Sequence, residues 1–198
     1  LLEAHRIVTN SWNLWIFPEA TLPRNVMRYG RPEQGWLHDW KDVPLITAAG
    51  LPPCKTSVVL SDKLDDHLTE FMRGGGRVIL AAGEGMVRPH GGNGCGGQGY
   101  FFTPGANYAP YEDGQNGTVI RKHPMLGDFP HEGFADLQFY RLMNDAPPIE
   151  LEPFGLANGE PAIRVIHRYP VCHPLGYLLE RSFGKGGVIL TSLDLSPR

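Results

Sequence analysis

Apolar and polar positions alternate most regularly between residues 56 and 82. Thr56-Ser57-Val58-Val59-Leu60-Ser61 is a short β-branched run that reads as a buried strand. Behind it, Leu64, Leu68, Phe71 and Met72 recur at helical spacing, with Ser61 as the expected N-cap and Asp62, Asp65 and Asp66 at the positive end of the helix dipole. Gly74, Gly75 and Gly76 stop the helix, and Arg77-Val78-Ile79-Leu80-Ala81-Ala82 forms a second buried strand. The pattern predicts a β-α-β unit with parallel strands and a right-handed crossover, completed by a parallel sheet with helices on both faces.

Further along, Phe134, Leu137, Phe139, Tyr140 and Leu142 predict a helix within residues 133–143, although they do not fall cleanly on one face. Residues 162–167 and 177–182 read as strands, and Phe183-Gly184-Lys185-Gly186 turns the second of these into Gly187-Val188-Ile189-Leu190 as a hairpin. Residues 83–117 have little periodicity and contain nine glycines between Gly83 and Gly117, so they form a long aromatic, Gly-rich excursion. The first forty residues hold all four tryptophans, Trp12, Trp15, Trp36 and Trp40, in a segment broken by Pro18, Pro23 and Pro32. Large rings on an irregular segment are expected to lie against another surface, which divides the chain into a Trp-rich inter-domain segment over 1–44 and an α/β domain over 45–198.

Composition narrows the function classes. The 198 residues include 25 Gly and 18 Pro, a loop-rich but globular mixture with 41% hydrophobic residues. A net charge of −3 gives no basic surplus for a phosphate backbone, so nucleic acid is not an expected partner. No apolar run reaches the roughly 18 residues needed to cross a bilayer, so no membrane partner is expected either. Cys54, Cys95 and Cys172 lie far apart, with no C-x-x-C and no disulfide framework. The opening Leu1-Leu2-Glu3-Ala4-His5 has neither an initiator Met nor a signal-peptide pattern, and the chain reads as a piece of something longer.

In an open α/β sheet, ligands sit beyond the carboxyl ends of the strands, where Gly83-Glu84-Gly85 must emerge. Glu84 between glycines is a candidate acceptor for a polyol or a general base, with Arg88, His90 and Tyr100 close in sequence. Tyr100, Phe102, Tyr108 and Tyr111 offer rings for a shallow sugar platform, or alternatively staple the long loop to the body. Neither phosphate-loop pattern follows the strand, and the irregular spacing of His123, His131, His167 and His173 predicts no metal site. No cofactor is expected. The acids Glu84, Glu112, Asp113, Glu132 and Asp136 supply carboxylates for glycoside hydrolysis, but their spacing selects no pair.

Two stretches carry a resemblance. The β-α-β piece over 64–86, with its Gly-Gly-Gly stop, resembles the class I glutamine amidotransferase-like, flavodoxin-like domains that occur as accessory modules in large glycoside hydrolases. Where active amidotransferases have a G-x-C-x-G elbow, Ala81-Ala82-Gly83-Glu84-Gly85 stands here, with Gly83 in the place of the nucleophile, so amidotransfer is not implied. Asn10-Ser11-Trp12-Asn13-Leu14-Trp15-Ile16-Phe17-Pro18 looks like the N-x-W-x-L-W-x-x-P segment late in glycoside hydrolase family 2-type proteins, and the closing hairpin through Leu195 is similar to the last hairpin of their accessory domains. The resemblance implies a three-layer, flavodoxin-like sandwich with a mainly parallel sheet. It implies a β-galactosidase-like or β-glucuronidase-like parent, periplasmic or secreted in a bacterium, whose catalytic carboxylates lie elsewhere. The chain would then pack against other domains of the same polypeptide, oligomerise, or form the rim of a sugar cleft, with Glu84, Arg88, His90, Tyr100, Phe102, Tyr108, Tyr111 and His131 as the ligand surface. A small hydrolase using Glu84 with His90 or His131, and a pure assembly module, are the competing expectations.

Overall fold

A computed structural model describes residues 9–11, 13–18, 24–30, 36–54, 57–83, 85–87, 115–144, 146–156, 160–167 and 172–196. Its centre is the predicted β-α-β unit: strand β3 (Val58–Ser61), helix α2 (Asp66–Arg73) and strand β4 (Arg77–Ala81), with Val59 opposite Val78 in a parallel ladder. The helix begins later than its apolar spacing suggests. Asp65, not Ser61, is the N-cap: its Oδ1 accepts the Leu68 amide at 3.0 Å, which leaves Leu64 outside the helix and exposed.

The glycine triplet ends α2 by a specific device. The Gly76 amide donates to the Phe71 carbonyl at 2.8 Å and the Gly75 amide to the Met72 carbonyl at 3.0 Å, the paired bonds of a Schellman motif, with Gly75 at φ +114°. Phe71 lies so close to Gly76 that a Cβ there would come within 2.3 Å of its ring carbons. The predicted hairpin, β8 (Leu175–Phe183) and β9 (Gly186–Thr191), turns through Gly184 and Lys185, and its tip abuts this helix end. The Lys185 amide donates to the Arg73 carbonyl at 3.2 Å and the Gly187 amide to the Gly76 carbonyl at 3.1 Å.

Docked in this way, β9 runs parallel to β4, with Val78 opposite Val188 and Leu80 opposite Leu190. The remaining strands are β1 (Val26–Tyr29), β2 (Leu45–Ile46), β5 (Gln115–Ile120), β6 (Ile149–Glu150) and β7 (Ile163–His167). They complete a nine-stranded sheet of order β2-β1-β3-β4-β9-β8-β7-β5, with β6 paired to β8. The sheet is mixed, which corrects the expectation of a mainly parallel one. From β2 to β9 every pairing is parallel, and every pairing made by β5, β6, β7 and β8 is antiparallel. The two-residue turn forces this change, because it can only send β8 back against β9. Residues 26–29, inside the Trp-rich segment, form an interior strand between β2 and β3.

Alternation along the strands sorts the core into two faces. Val59, Val78, Leu80 and Tyr29 meet Leu68, Phe71 and Met72 of α2. Val58, Leu60, Ile79 and Ala81 point the other way, where Leu37 of helix α1 (Trp36–Asp39) covers them. The expected helix over 133–143 is shorter than its span: a 3-10 turn at Leu137–Phe139 leads into α3 (Tyr140–Met143). Phe139 and Met143, both buried, cover Ile120, Ile163, Val165, Leu175 and Tyr177 of the antiparallel half. Part of the N-terminal segment also docks there, since Phe17 stacks on Phe129 at 5.2 Å and Phe129 tilts against Phe139 at 4.8 Å. Trp40 Nε1 donates to the Leu195 carbonyl at 2.8 Å, tying the α1 region to the tail after β9.

Because a Cβ on Gly186 would collide with the Gly76 and Met72 carbonyls, Gly186→Ala should destabilise the fold by about 2–3 kcal/mol in a urea titration. Lys185→Ala, at the exposed tip of the same turn, should stay within about 0.5 kcal/mol of the wild type.

Candidate functional site

The carboxyl ends of β1, β3, β4 and β9 open on one edge of the parallel half, where Tyr29, Ser61, Lys63 and Asp65 form two hydrogen-bonded groups and the buried Ser192 hydroxyl after β9 has no partner among the described residues. Ser61, fully buried at the end of β3, donates its hydroxyl to the Lys63 carbonyl at 2.7 Å and accepts the Lys63 amide at 3.2 Å. The Lys63 side chain passes over Gly30, where a Cβ would lie 3.0 Å from Lys63 Cε. Tyr29, at the end of β1, donates its hydroxyl to Asp65 Oδ2 at 2.8 Å, while Asp65 Oδ1 holds the start of α2.

The electrostatics follow from that pairing. Burial and the hydrogen bond to the Asp65 carboxylate push the Tyr29 hydroxyl up to about 12, from the ordinary 10.0. For Asp65, burial pulls its pKa upward, but the Leu68 amide, the Tyr29 hydroxyl and the charges of His67 and Lys63 together outweigh it and hold the carboxyl below its ordinary value. Asp65 is therefore the anion at the positive end of α2, and the helix terminus that would cradle a phosphate is already occupied by a side chain.

Beyond β4, the described residues crowd neither Gly83 nor Gly85. Gly83 lies two residues past β4, and the nearest described atom to a Cβ built there is the Asp62 carbonyl oxygen at 3.9 Å. Gly85 has φ +86° with nothing within 4 Å of such a Cβ. Glu84, Arg88, His90, Tyr100, Phe102, Tyr108 and Tyr111 lie outside the described residues, as does Cys95. His131 is described. It stands beside the edge strand β5, four strand positions from β4 and so roughly 19 Å across the sheet, with its Nδ1 accepting the Gly133 amide at 3.2 Å.

Past Gly83 the chain climbs along the antiparallel half. The Glu150 amide donates to the Met86 carbonyl at 3.0 Å and Val87 bridges to Ile149, so the excursion leaves from beside β6 and returns at Gln115, opposite His167. Here the structure pairs two residues that their sequence spacing did not single out. His167, buried, accepts the His173 amide on Nδ1 at 3.0 Å, and the two rings lie 5.3 Å apart. The signal was their position at the facing ends of two adjacent strands, visible only once β7 and β8 are known to pair. Cys172 beside them is exposed, at φ +52°. Cys54 lies at the opposite end of the parallel half, with its Sγ 3.6 Å from the Phe71 carbonyl. Among the described residues no three His, Cys, Asp or Glu side chains gather in a metal-binding group.

Two outcomes test this geometry. Gly83→Ala should be tolerated within about 0.5 kcal/mol, since a Cβ there would meet no described atom closer than 3.9 Å and the φ is ordinary. Tyr29→Phe should cost about 1 kcal/mol at neutral pH in chemical denaturation. It should also remove an alkaline loss of stability: a raised Tyr29 pKa stabilises fully below pH 10.0, and that contribution disappears as pH rises toward about 12. The Asp65 contribution runs the other way, present above 3.8 and lost as pH falls below it.

A search of curated proteins finds no match to the chain. A family model described as "Domain of unknown function (DUF8487)" matches residues 59–198, from within β3 onward, so the paired strands β1 and β2 precede the matched region. The match spans more than two thirds of the sequence, and the chain belongs to the DUF8487 family.

Proposed function

We propose that the chain is a non-catalytic accessory domain of a carbohydrate-active glycoside hydrolase, built on a flavodoxin-like, class I glutamine amidotransferase-like three-layer scaffold. Its role is to pack against other domains of the same polypeptide, to oligomerise, or to form the rim of a sugar-binding cleft. The strand order supports the scaffold: β2-β1-β3-β4 followed by a parallel β9 is the doubly wound order 2-1-3-4-5, with its switch point between β1 and β3. The β5-β7-β8 half is then an antiparallel addition to that core.

The observation that carries the accessory role is the segment over 13–18. Phe17 pins it to Phe129, while Leu14 and Ile16 are 85% and 96% exposed. One face of this segment is spent on the body and the other presents large aliphatic side chains, the pattern of a strap between two surfaces. A second support is the position that the resemblance assigns to the elbow, where glycine leaves no nucleophile, while Asp65 at the start of α2 is committed to capping.

The test has two arms. Leu14→Ser with Ile16→Ser should leave the unfolding free energy of the chain within about 0.5 kcal/mol, because these side chains are almost wholly in solvent. In the parent polypeptide the same pair should expose the junction to limited proteolysis; unchanged cleavage counts against the strap. Assayed with aryl glycosides and amides, the chain should show no turnover, and activity abolished by Glu84→Gln would establish the competing hydrolase. Quenching of tryptophan and tyrosine fluorescence by millimolar oligosaccharide would place the domain on a cleft rim, and no response would leave packing or assembly.

A further inference from the structure

His123 and His131 occupy the same kind of turn at the two ends of one covering segment. His123 precedes a 3-10 turn at Pro124–Leu126, and its Nδ1 accepts the Met125 amide at 3.3 Å. His131 Nδ1 accepts the Gly133 amide at 3.2 Å. In both, an imidazole nitrogen does what an Asn or Asp oxygen does in an Asx turn, two residues ahead along the backbone. A ring nitrogen accepts only when it carries no proton, so each turn requires a neutral imidazole with its hydrogen on Nε2.

The segment between them seals the antiparallel core. Met125, Leu126 and Phe129 pack on the cluster around Ile120, Phe139 and Ile163. Phe129 is also the seat of Phe17. The second turn fastens to β5 directly: the Gly133 carbonyl, at φ +94°, accepts the Ile120 amide at 2.7 Å, and the Ala135 amide donates to Thr118 Oγ1 at 2.7 Å.

We propose that residues 123–133 form an acid-released clasp. Protonation of His123 and His131 converts each Nδ1 from an acceptor into a donor facing an amide hydrogen, opens both turns and loosens the cover, including the Phe129 seat. The surrounding charges do not restore the lost bonds. Glu180 of β8 lies 3.7 Å from His123 Nε2, the ring nitrogen that faces away from the turn. On the segment and its flanks the charged groups are Arg121, already paired with Glu160, then Lys122, Asp128, Glu132 and Asp136, whose Oδ1 accepts the Leu137 amide. Among the described residues no ion pair reaches His131. The device is a property of the fold and holds whether or not the chain is an accessory domain.

Imidazole ¹⁵N shifts of the full chain at pH 7.5 should show both Nδ1 atoms unprotonated; an Nδ1–H tautomer would overturn the proposal without any variant. Hydrogen exchange, corrected for the intrinsic rate, should show protection of the Met125 and Gly133 amides falling about tenfold between pH 7.5 and 5.0. In the double variant His123→Asn with His131→Asn the amide oxygens keep the acceptors but do not titrate, and both amides should stay protected across that range; in each single variant the amide of the substituted turn should. Wild-type protection that does not change with pH, or an equal fall in the Asn variants, refutes the clasp.

Discussion

The contact on which the rest of the molecule depends is the backbone-to-backbone approach of the β8–β9 turn to the end of α2. The Schellman bonds at Gly75 and Gly76 fold the helix terminus back on itself, and Gly186 and Gly187 come close enough for the Gly76 carbonyl to accept the Gly187 amide at 3.1 Å. Side chains on both partners would keep these backbones apart. With that clasp in place β9 lies beside β4, and β9 is the strand common to the two halves of the sheet. One local close approach thus fixes the register of a ladder running the whole length of β9.

At the carboxyl edge of the parallel half, the polar groups beside β1 and β3 are satisfied internally. Tyr29, Ser61, Lys63 and Asp65 bond to one another or to nearby backbone, and the positive end of α2 is neutralised by its own cap. In doubly wound sheets this edge ordinarily presents open amides or a reactive side chain. Here the Tyr29–Asp65 bond fastens β1 to α2. No described atom would crowd a Cβ added at Gly83 or Gly85.

The antiparallel half is held differently. Its core is sealed by short turns and 3-10 segments, so it depends on individual side-chain acceptors more than on helix packing. Histidine nitrogens serve in three of these places, at His123, His131 and His167. The parallel half rests on apolar contacts of α2 and on a carboxylate cap. The two halves share one sheet but differ in the chemistry that closes them.

By itself the sequence determined the elements whose causes are local. Helical spacing of Leu68, Phe71 and Met72, β-branched runs at 58–61 and 77–81, three successive glycines and a Gly-Lys turn each act within a few residues, and each element formed close to where its chemistry placed it. Asp65 took the cap from Ser61 because the fully buried Ser61 hydroxyl is engaged with Lys63, a choice that burial makes. Of the site, His131 and the Gly83 position can be located in the fold, and the pairing of His167 with His173 could not be read from spacing because it crosses two strands. Only the tertiary structure decided that the sheet is mixed, that residues 26–29 lie inside it and that histidines close its turns. Strand order and acceptor choice depend on which distant backbones come within hydrogen-bonding reach, and no periodicity along the chain encodes that distance.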